Sequence, residues 1–120
     1  MTRAWIEIDL VAIIRNAQRI AARAPAILPM IKADAYGLGA APVVRALDRI
    51  DPWGYGVATV EEGYEVRAAG IAGRVLLFTP VGVDELREVR ETRLTPALSS
   101  LASIQAWAAI GGGAPPDLVE

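Results

Sequence analysis

Residues 26–39 read AILPMIKADAYGLG, a short apolar run that ends in a lysine and continues into a turn with two glycines. The apolar run predicts a buried strand, because continuous apolar stretches of this kind are typical of parallel sheets. In parallel α/β proteins, the carboxyl ends of the strands carry the functional groups. Lys32 therefore stands where a functional side chain is expected.

Lys32 is the only lysine of the chain, and all its other basic residues are arginines. A guanidinium group stays protonated and cannot form an imine, so a lysine retained against this bias suggests a need for an amine. Apolar surroundings at a strand end would disfavour the charged form, and a neutral amine can attack a carbonyl carbon. A structural lysine that reaches solvent from the strand end is the alternative, and position alone leaves both interpretations open.

The residues that follow Lys32 suggest supporting roles. The hydroxyl of Tyr36 is suited to donate a hydrogen bond to a phosphate or ring oxygen. Asp34 is expected to cap the turn rather than to orient Lys32. Gly37 and Gly39 allow a sharp turn and a close approach of the backbone to a ligand, although two glycines at this spacing are also common in ordinary turns.

Apolar segments alternate with amphipathic segments along the whole chain. Strands are predicted over residues 5–8, 26–31, 54–58, 74–78 and 94–98, with another beginning at 117. Helices are predicted after Asp9, from Pro42, after the capping box of Thr59 and Glu62, and over residues 84–93 and 100–110. This alternation predicts βα units on a parallel sheet, hence the α/β class.

Two details of these helices are also predicted. The first helix should turn one apolar face towards the core, at helical spacing, and this face consists of Leu10, Ile13, Ile14, Ala17 and Ile20. Glu61 and Glu62 lie in the first turn of the third helix, where acidic side chains are favourable, and we predict that both are solvated.

Two architectures fit this alternation, an open doubly wound sheet and a (β/α)8 barrel. Residues 37–42, GLGAAP, begin like a dinucleotide-binding fingerprint but carry Pro42 where the third glycine belongs. A complete barrel needs about 250 residues, and this chain has 120. We therefore predict that residues 1–120 are the N-terminal portion, about half, of a (β/α)8 TIM-type barrel with parallel strands.

Composition excludes several classes of function. The chain has no cysteine and no histidine, which removes disulfides, thiolate catalysis, Ser-His triads and most zinc sites, and no metal site is expected. Its net charge of −2 gives no basic surface for nucleic acid. No apolar run approaches the roughly 20 residues that span a bilayer, so a cytoplasmic protein is expected.

Beyond these physical arguments, residues 31–39, IKADAYGLG, resemble the pyridoxal-phosphate attachment motif of alanine racemases. Residues 4–10, with Asn16 in the following helix, resemble the N-terminus of that family, and residues 55–71 resemble its next βα unit. The motif departs from the family pattern at Leu38, where histidine is most common.

The resemblance implies a pyridoxal 5′-phosphate-dependent isomerase that interconverts L-alanine and D-alanine for the bacterial cell wall. By resemblance, Lys32 is both the cofactor attachment point and a catalytic base, and Tyr36 helps to hold the cofactor phosphate. The family acts as a homodimer, and its opposing base is a tyrosine in a C-terminal β domain that residues 1–120 do not include. The 120-residue chain alone is therefore expected to be inactive.

Other interpretations stay open from the sequence. A non-catalytic pyridoxal-phosphate-binding barrel protein uses the same barrel type, but its lysine context differs from residues 33–37. The chain is alternatively a remnant without function, or a subunit that needs its complement in trans. Within the racemases, serine or another amino acid remains a candidate substrate.

Overall fold

The structure, a computed structural model, describes residues 3–111. Three helices precede the first strand, and from that strand onwards parallel strands alternate with helices. The helices are α1 (Leu10–Ala21), α2 (Lys32–Tyr36), α3 (Ala40–Leu47), α4 (Val60–Ala68), α5 (Leu86–Glu91) and α6 (Leu101–Ala109). The strands are β1 (Tyr55–Val57), β2 (Val75–Leu77) and β3 (Thr95–Pro96), and two 3₁₀ turns cover Asp48–Ile50 and Val83–Glu85. The predicted α/β class is confirmed.

The strands follow one another in space in the same order as in the sequence. β1 pairs with β2 and β2 with β3, all in parallel, with Val57 opposite Leu77 and Leu77 opposite Pro96. On the other side of β1, Met30 forms an isolated parallel bridge with Gly56. Residues 26–31 thus run beside β1, and the carboxyl ends of all these segments lie at one edge of the sheet.

The segment 26–31 is strand-like without forming a continuous ladder. The amide of Ile31 donates to the carbonyl of Gly56 at 2.7 Å, and the amide of Gly56 donates to the carbonyl of Pro29 at 2.9 Å. Pro29 has no amide hydrogen to donate, which limits the pairing of this segment. The bonds that do form bring Lys32 to the edge of the sheet next to β1.

Some predictions about the N-terminal region are confirmed and others are wrong. Asp9 caps α1 as predicted, with its carboxylate accepting from the amide of Ala12 at 3.0 Å. The strand predicted over residues 5–8 is absent, because no described segment pairs with it and Trp5 remains 81% exposed. The inward face of α1 is also narrower than predicted, since Leu10 and Ile13 pack on the core but Ile20 is exposed.

Further along the chain, the remaining elements lie close to their predicted positions. Pro42 falls in the first turn of α3, and Gly70 follows α4 with a positive φ of 96°, which glycine adopts at low cost. The predicted helix over 84–93 is a 3₁₀ turn followed by α5. The strand predicted to begin at residue 117 lies outside the described residues.

The core lies between the sheet and helices α3, α4 and α5. Its largest fully buried side chains include those of Tyr55, Leu77, Leu86 and Val44. Each buried aliphatic side chain of this size contributes roughly 1.5–3 kcal/mol through the removal of apolar surface from water. This core fixes β1 and α4, the elements that flank the lysine segment.

Arg67 anchors α4 to the loops that precede β2 and β3. Its guanidinium donates to backbone carbonyl oxygens at 2.5–3.2 Å, those of Ile71, Gly73, Thr92 and Arg93. The planar group reaches several acceptors at once, which a lysine ammonium on a flexible stem does less well. The C-terminal end of α4 is thereby held at the amino edge of the sheet.

Candidate functional site

Lys32 lies at the carboxyl edge of the sheet, directly after the fully buried Ile31. Its Nζ is 5.8 Å from the ring centroid of Tyr36 and 5.9 Å from that of Phe78, the residue after β2. Ring faces at such distances attract a cation. The surroundings of the amine are therefore partly aromatic, whereas the sequence suggested purely apolar neighbours, and Phe78 was not foreseen.

The backbone after Lys32 has an unusual conformation. Residues Ala33 to Tyr36 all have positive φ angles between 52° and 56°, so α2 is a left-handed turn although none of these residues is glycine. Its hydrogen bonds join the amide of Ala35 to the carbonyl of Ile31 and the amide of Gly37 to the carbonyl of Ala33, each at 2.9 Å. The left-handed conformation costs roughly 1–2 kcal/mol for each such residue. Contacts from the surroundings must hold it in place.

Two of these contacts belong to the turn itself. Asp34 accepts a hydrogen bond from the amide of Ala40, the first residue of α3, at 2.7 Å. This confirms the prediction that Asp34 acts as a cap. Ala35, the buried residue of α2, packs into the core, and Gly39, with a φ of 91°, lets the chain enter α3. Together these features join the end of the left-handed turn to the beginning of α3.

A further contact comes from Glu62, a residue whose role the sequence analysis missed. One carboxylate oxygen, Oε1, accepts from the amide of Ala33 at 2.8 Å. The other, Oε2, accepts from the amides of Ala58 at 2.7 Å and Thr59 at 3.3 Å. The prediction that both acids are solvated is wrong for Glu62, which is half-buried, while Glu61 is exposed.

One signal in the sequence points towards this contact. Glu62 is the third residue of α4, and its capping box with Thr59 folds the carboxylate back to the helix N-terminus. In a parallel sheet every βα loop lies at the same edge. A carboxylate at the start of one βα helix is thus a neighbour of the preceding βα loop, which here contains Lys32.

Tyr36 ends the turn with its ring directed away from the core. Its side chain is 63% exposed, so its hydroxyl is accessible to a ligand at this edge. Lys32, Tyr36 and Phe78 lie together, and Glu62 holds the backbone between the first two. Among residues 3–111, acidic side chains do not form a cluster placed to hold a metal ion, and no helix there has the length and apolar character needed to cross a membrane.

Comparison with known proteins identifies the family to which this chain is similar. The family model for the N-terminal domain of alanine racemase matches residues 8–118. The alanine racemase of Fusobacterium nucleatum is 34% identical over 105 residues, which cover 86% of this chain and 30% of that protein. The chain therefore spans about a third or less of the length of such relatives.

Solved structures agree with this assignment. The alanine racemase of Bartonella henselae, with covalently bound pyridoxal phosphate, matches with a TM-score of 0.78 and 28% identity over 86% of this chain and 30% of that one. A histidine racemase from Leuconostoc mesenteroides matches with a TM-score of 0.75 and 22% identity over 84% of this chain and 28% of that one, a likeness that shows the fold alone. The observed strands and helices are thus the N-terminal part of a TIM-type barrel, as predicted, and the chain belongs to the alanine racemase family, of whose N-terminal domain it is a part.

Proposed function

We propose that this chain provides the lysine loop of a pyridoxal-phosphate-dependent alanine racemase, and that the whole protein interconverts L-alanine and D-alanine. The observation that carries the proposal is the presence of the only lysine, within a family motif, at the carboxyl edge of a parallel sheet. That edge is where barrel enzymes place their reacting groups.

The residues at this edge fit a cofactor that has an aldehyde and a phosphate. Lys32 offers the only side-chain primary amine in the chain, and Tyr36 offers an accessible hydroxyl next to it. When bound, pyridoxal phosphate takes up the electrons that are released as the Cα proton of an amino acid leaves. Lys32 would hold the cofactor through Nζ, and Tyr36 would donate a hydrogen bond to a phosphate oxygen.

Lys32 also acts as a base in this proposal. Once its amine is free, Nζ would take or return the Cα proton on one face of the substrate. A second base is needed on the opposite face. In the alanine racemases that the sequence resembles, that base is a tyrosine in the C-terminal β domain of the partner subunit of a homodimer. We propose the same arrangement for the whole protein, and we propose that the protein is cytoplasmic.

Residues 1–120 accordingly form a partial N-terminal barrel domain in this proposal, and we expect no racemisation of alanine by this polypeptide when it is prepared alone. The amino acid itself is inferred from the family, since the histidine racemase with the same fold acts, by its name, on another amino acid.

The test uses the single lysine. The purified chain is incubated with pyridoxal phosphate and reduced with borohydride, and the adduct is located by mass spectrometry, with Lys32→Arg as control. The expected result is a stable adduct on Lys32 that exceeds the adduct on the α-amino group of Met1 and is lost in Lys32→Arg. Labelling of the α-amino group alone, or none, would mean that residues 1–120 do not form a working site by themselves and that Lys32 becomes reactive only in the complete barrel.

In the complete protein that contains this chain, the second test is conversion of L-alanine to D-alanine, followed by chiral chromatography. A barrel that binds the cofactor at Lys32 but racemises no amino acid would instead match the non-catalytic alternative.

A further inference from the structure

The left-handed turn after Lys32 needs an external support. Four consecutive residues, Ala33 to Tyr36, adopt positive φ angles without a glycine among them. Asp34 and the buried Ala35 act on the far end of the turn, through α3 and the core. At the end next to the lysine, the amide of Ala33 donates to Glu62.

Glu62 joins this amide to a rigid part of the molecule. Its second carboxylate oxygen accepts from the amides of Ala58 and Thr59, which follow β1, and its own amide donates to the hydroxyl of Thr59 at 3.1 Å. The carboxylate is thus shared between two neighbouring βα loops. Hydrogen bonds to an ionised acceptor are stronger than those between neutral groups.

The orientation of one peptide group links this carboxylate to the lysine. The amide of Ala33 belongs to the peptide bond that joins Lys32 to Ala33, and this bond is planar. Fixing the direction of the N–H therefore also fixes the carbonyl of Lys32 and restricts the backbone from which its side chain projects.

We propose that Glu62 is a positioning residue for Lys32. Its carboxylate stabilises the left-handed turn and so presents the lysine amine at the edge of the sheet. This inference rests on the proposed function for the consequence that the amine is presented to pyridoxal phosphate. The conformational effect itself does not depend on the cofactor.

The neighbouring acid provides a matched control. Glu61 has the same charge and lies in the same first turn of α4, but it is exposed. Glu61→Gln therefore removes a charge from the helix N-terminus and leaves the turn untouched. Glu62→Gln keeps the shape of the side chain but loses its charge, and only one of its two terminal atoms can still accept from a backbone N–H. The bond to the amide of Ala33 is therefore either lost or no longer charge-assisted.

Hydrogen exchange measured by NMR gives a readout that needs no cofactor. In Glu62→Gln, we expect the amide of Ala33 to exchange about tenfold faster than in the parent chain, in keeping with the loss of one charge-assisted bond. In Glu61→Gln, the exchange of this amide should be unchanged. An unchanged rate in Glu62→Gln would overturn the proposal.

The yield of borohydride-fixed adduct on Lys32, relative to that on the α-amino group of Met1, gives the second readout. We expect a drop of about tenfold in Glu62→Gln and none in Glu61→Gln, in proportion to the loss of the presented conformation. If the parent chain forms no adduct on Lys32, this second readout is made on the complete protein, where a missing adduct refutes the proposed function. Hydrogen exchange at Ala33 decides in either case whether Glu62 holds the turn.

A rescue variant separates this role from simple capping of α4. Glycine adopts positive φ angles readily, and Ala33 is exposed, so Ala33→Gly should favour the left-handed turn without disturbing the core. Removing the negative charge of Glu62 from the first turn of α4 should also lower the melting temperature. In the Glu62→Gln background, Ala33→Gly should restore most of the adduct on Lys32 but not the melting temperature. If the yield of adduct on Lys32 stays as low in the double variant as in Glu62→Gln, then Glu62 acts only as a cap of α4. That result would overturn the proposal.

Discussion

Tyr36 allows the proposed phosphate contact to be tested at a single atom. We expect Tyr36→Phe to weaken the binding of pyridoxal phosphate by about tenfold or more, since a hydrogen bond to a charged group contributes roughly 1.5–3 kcal/mol. Pyridoxal, which lacks the phosphate, should bind both forms equally. Because Tyr36 is 63% exposed, stability should not change. Absorbance titrations with the two compounds measure the difference, and equal weakening for both would contradict the phosphate contact.

At the scale of residues, the sequence predicted the position of Lys32 at a strand end and the hydrogen-bonded cap of Asp34, but not the contacts of Glu62 or Phe78. Lys32 was identifiable because a single lysine among arginines is a chemical signal, and Asp34 because its cap is local. The contacts of Glu62 and Phe78 join different βα units. Such contacts depend on which loops meet at the sheet edge, and residue type alone does not encode them.

Among the elements, the close pairing of β1 and β2 gives a sharp prediction. A Cβ atom at Gly54 would lie 2.8 Å from the carbonyl oxygen of Arg74, and this carbonyl accepts from the amide of Tyr55 at 3.0 Å. Gly54→Ala must therefore separate the strands, and we expect it to lower the free energy of unfolding by about 1–3 kcal/mol, as overpacking does.

Gly73→Ala is the matched control, because nothing lies within 4 Å of a Cβ atom at Gly73. Its effect should stay within about 0.5 kcal/mol, as for other open surface positions. Urea denaturation of the two variants beside the parent measures both values. Equal midpoints for Gly54→Ala and the parent would contradict the tight register between the strands.

The accuracy of the predicted elements follows from where their stabilising contacts lie. The apolar run 74–78 contains β2, and the capping box at Thr59 begins α4, because pattern and cap are both local. Residues 5–8 alternate like a strand but lack a partner among residues 3–111. The left-handed turn was not predicted either, since alanine and tyrosine disfavour that conformation and only contacts from other units support it.

For the molecule as a whole, the sequence predicted the order of the units better than the closure of the sheet. Alternating strands and helices led to parallel neighbours in chain order, which the structure confirms. An open sheet and a barrel begin alike over this length, and the residue arguments separated them only through Pro42 in place of a fingerprint glycine. Likeness to longer relatives decides in favour of the barrel, because those structures include the remaining units.

Tyr55 links the sheet to the helical layer and makes the stability of the whole molecule depend on pH. Its side chain is only 1% exposed, and its hydroxyl lies 3.2 Å from the carbonyl oxygen of Val44 and 3.3 Å from Oδ1 of Asp48. Burial, together with the negative charge of Asp48, raises the pKa of Tyr55 well above its ordinary value of 10.0. The folded protein therefore keeps this proton at pH values where the unfolded chain has lost it.

The sign of the pH effect follows from this difference in bound protons. Above pH 10 the unfolded state binds fewer protons, so the free energy of unfolding should fall by up to about 1.4 kcal/mol per pH unit. Tyr55→Phe should be less stable by about 1 kcal/mol at pH 7, through its lost hydrogen bonds, but should lack this part of the alkaline decline. Urea denaturation at pH values from 8 to about 11 measures both slopes, with Tyr64→Phe as control because Tyr64 is exposed. Because the parent should lose stability faster than Tyr55→Phe above pH 10, the free energies of unfolding of the two proteins should converge as the pH rises. Equal slopes would show that the buried, protonated Tyr55 does not limit alkaline stability.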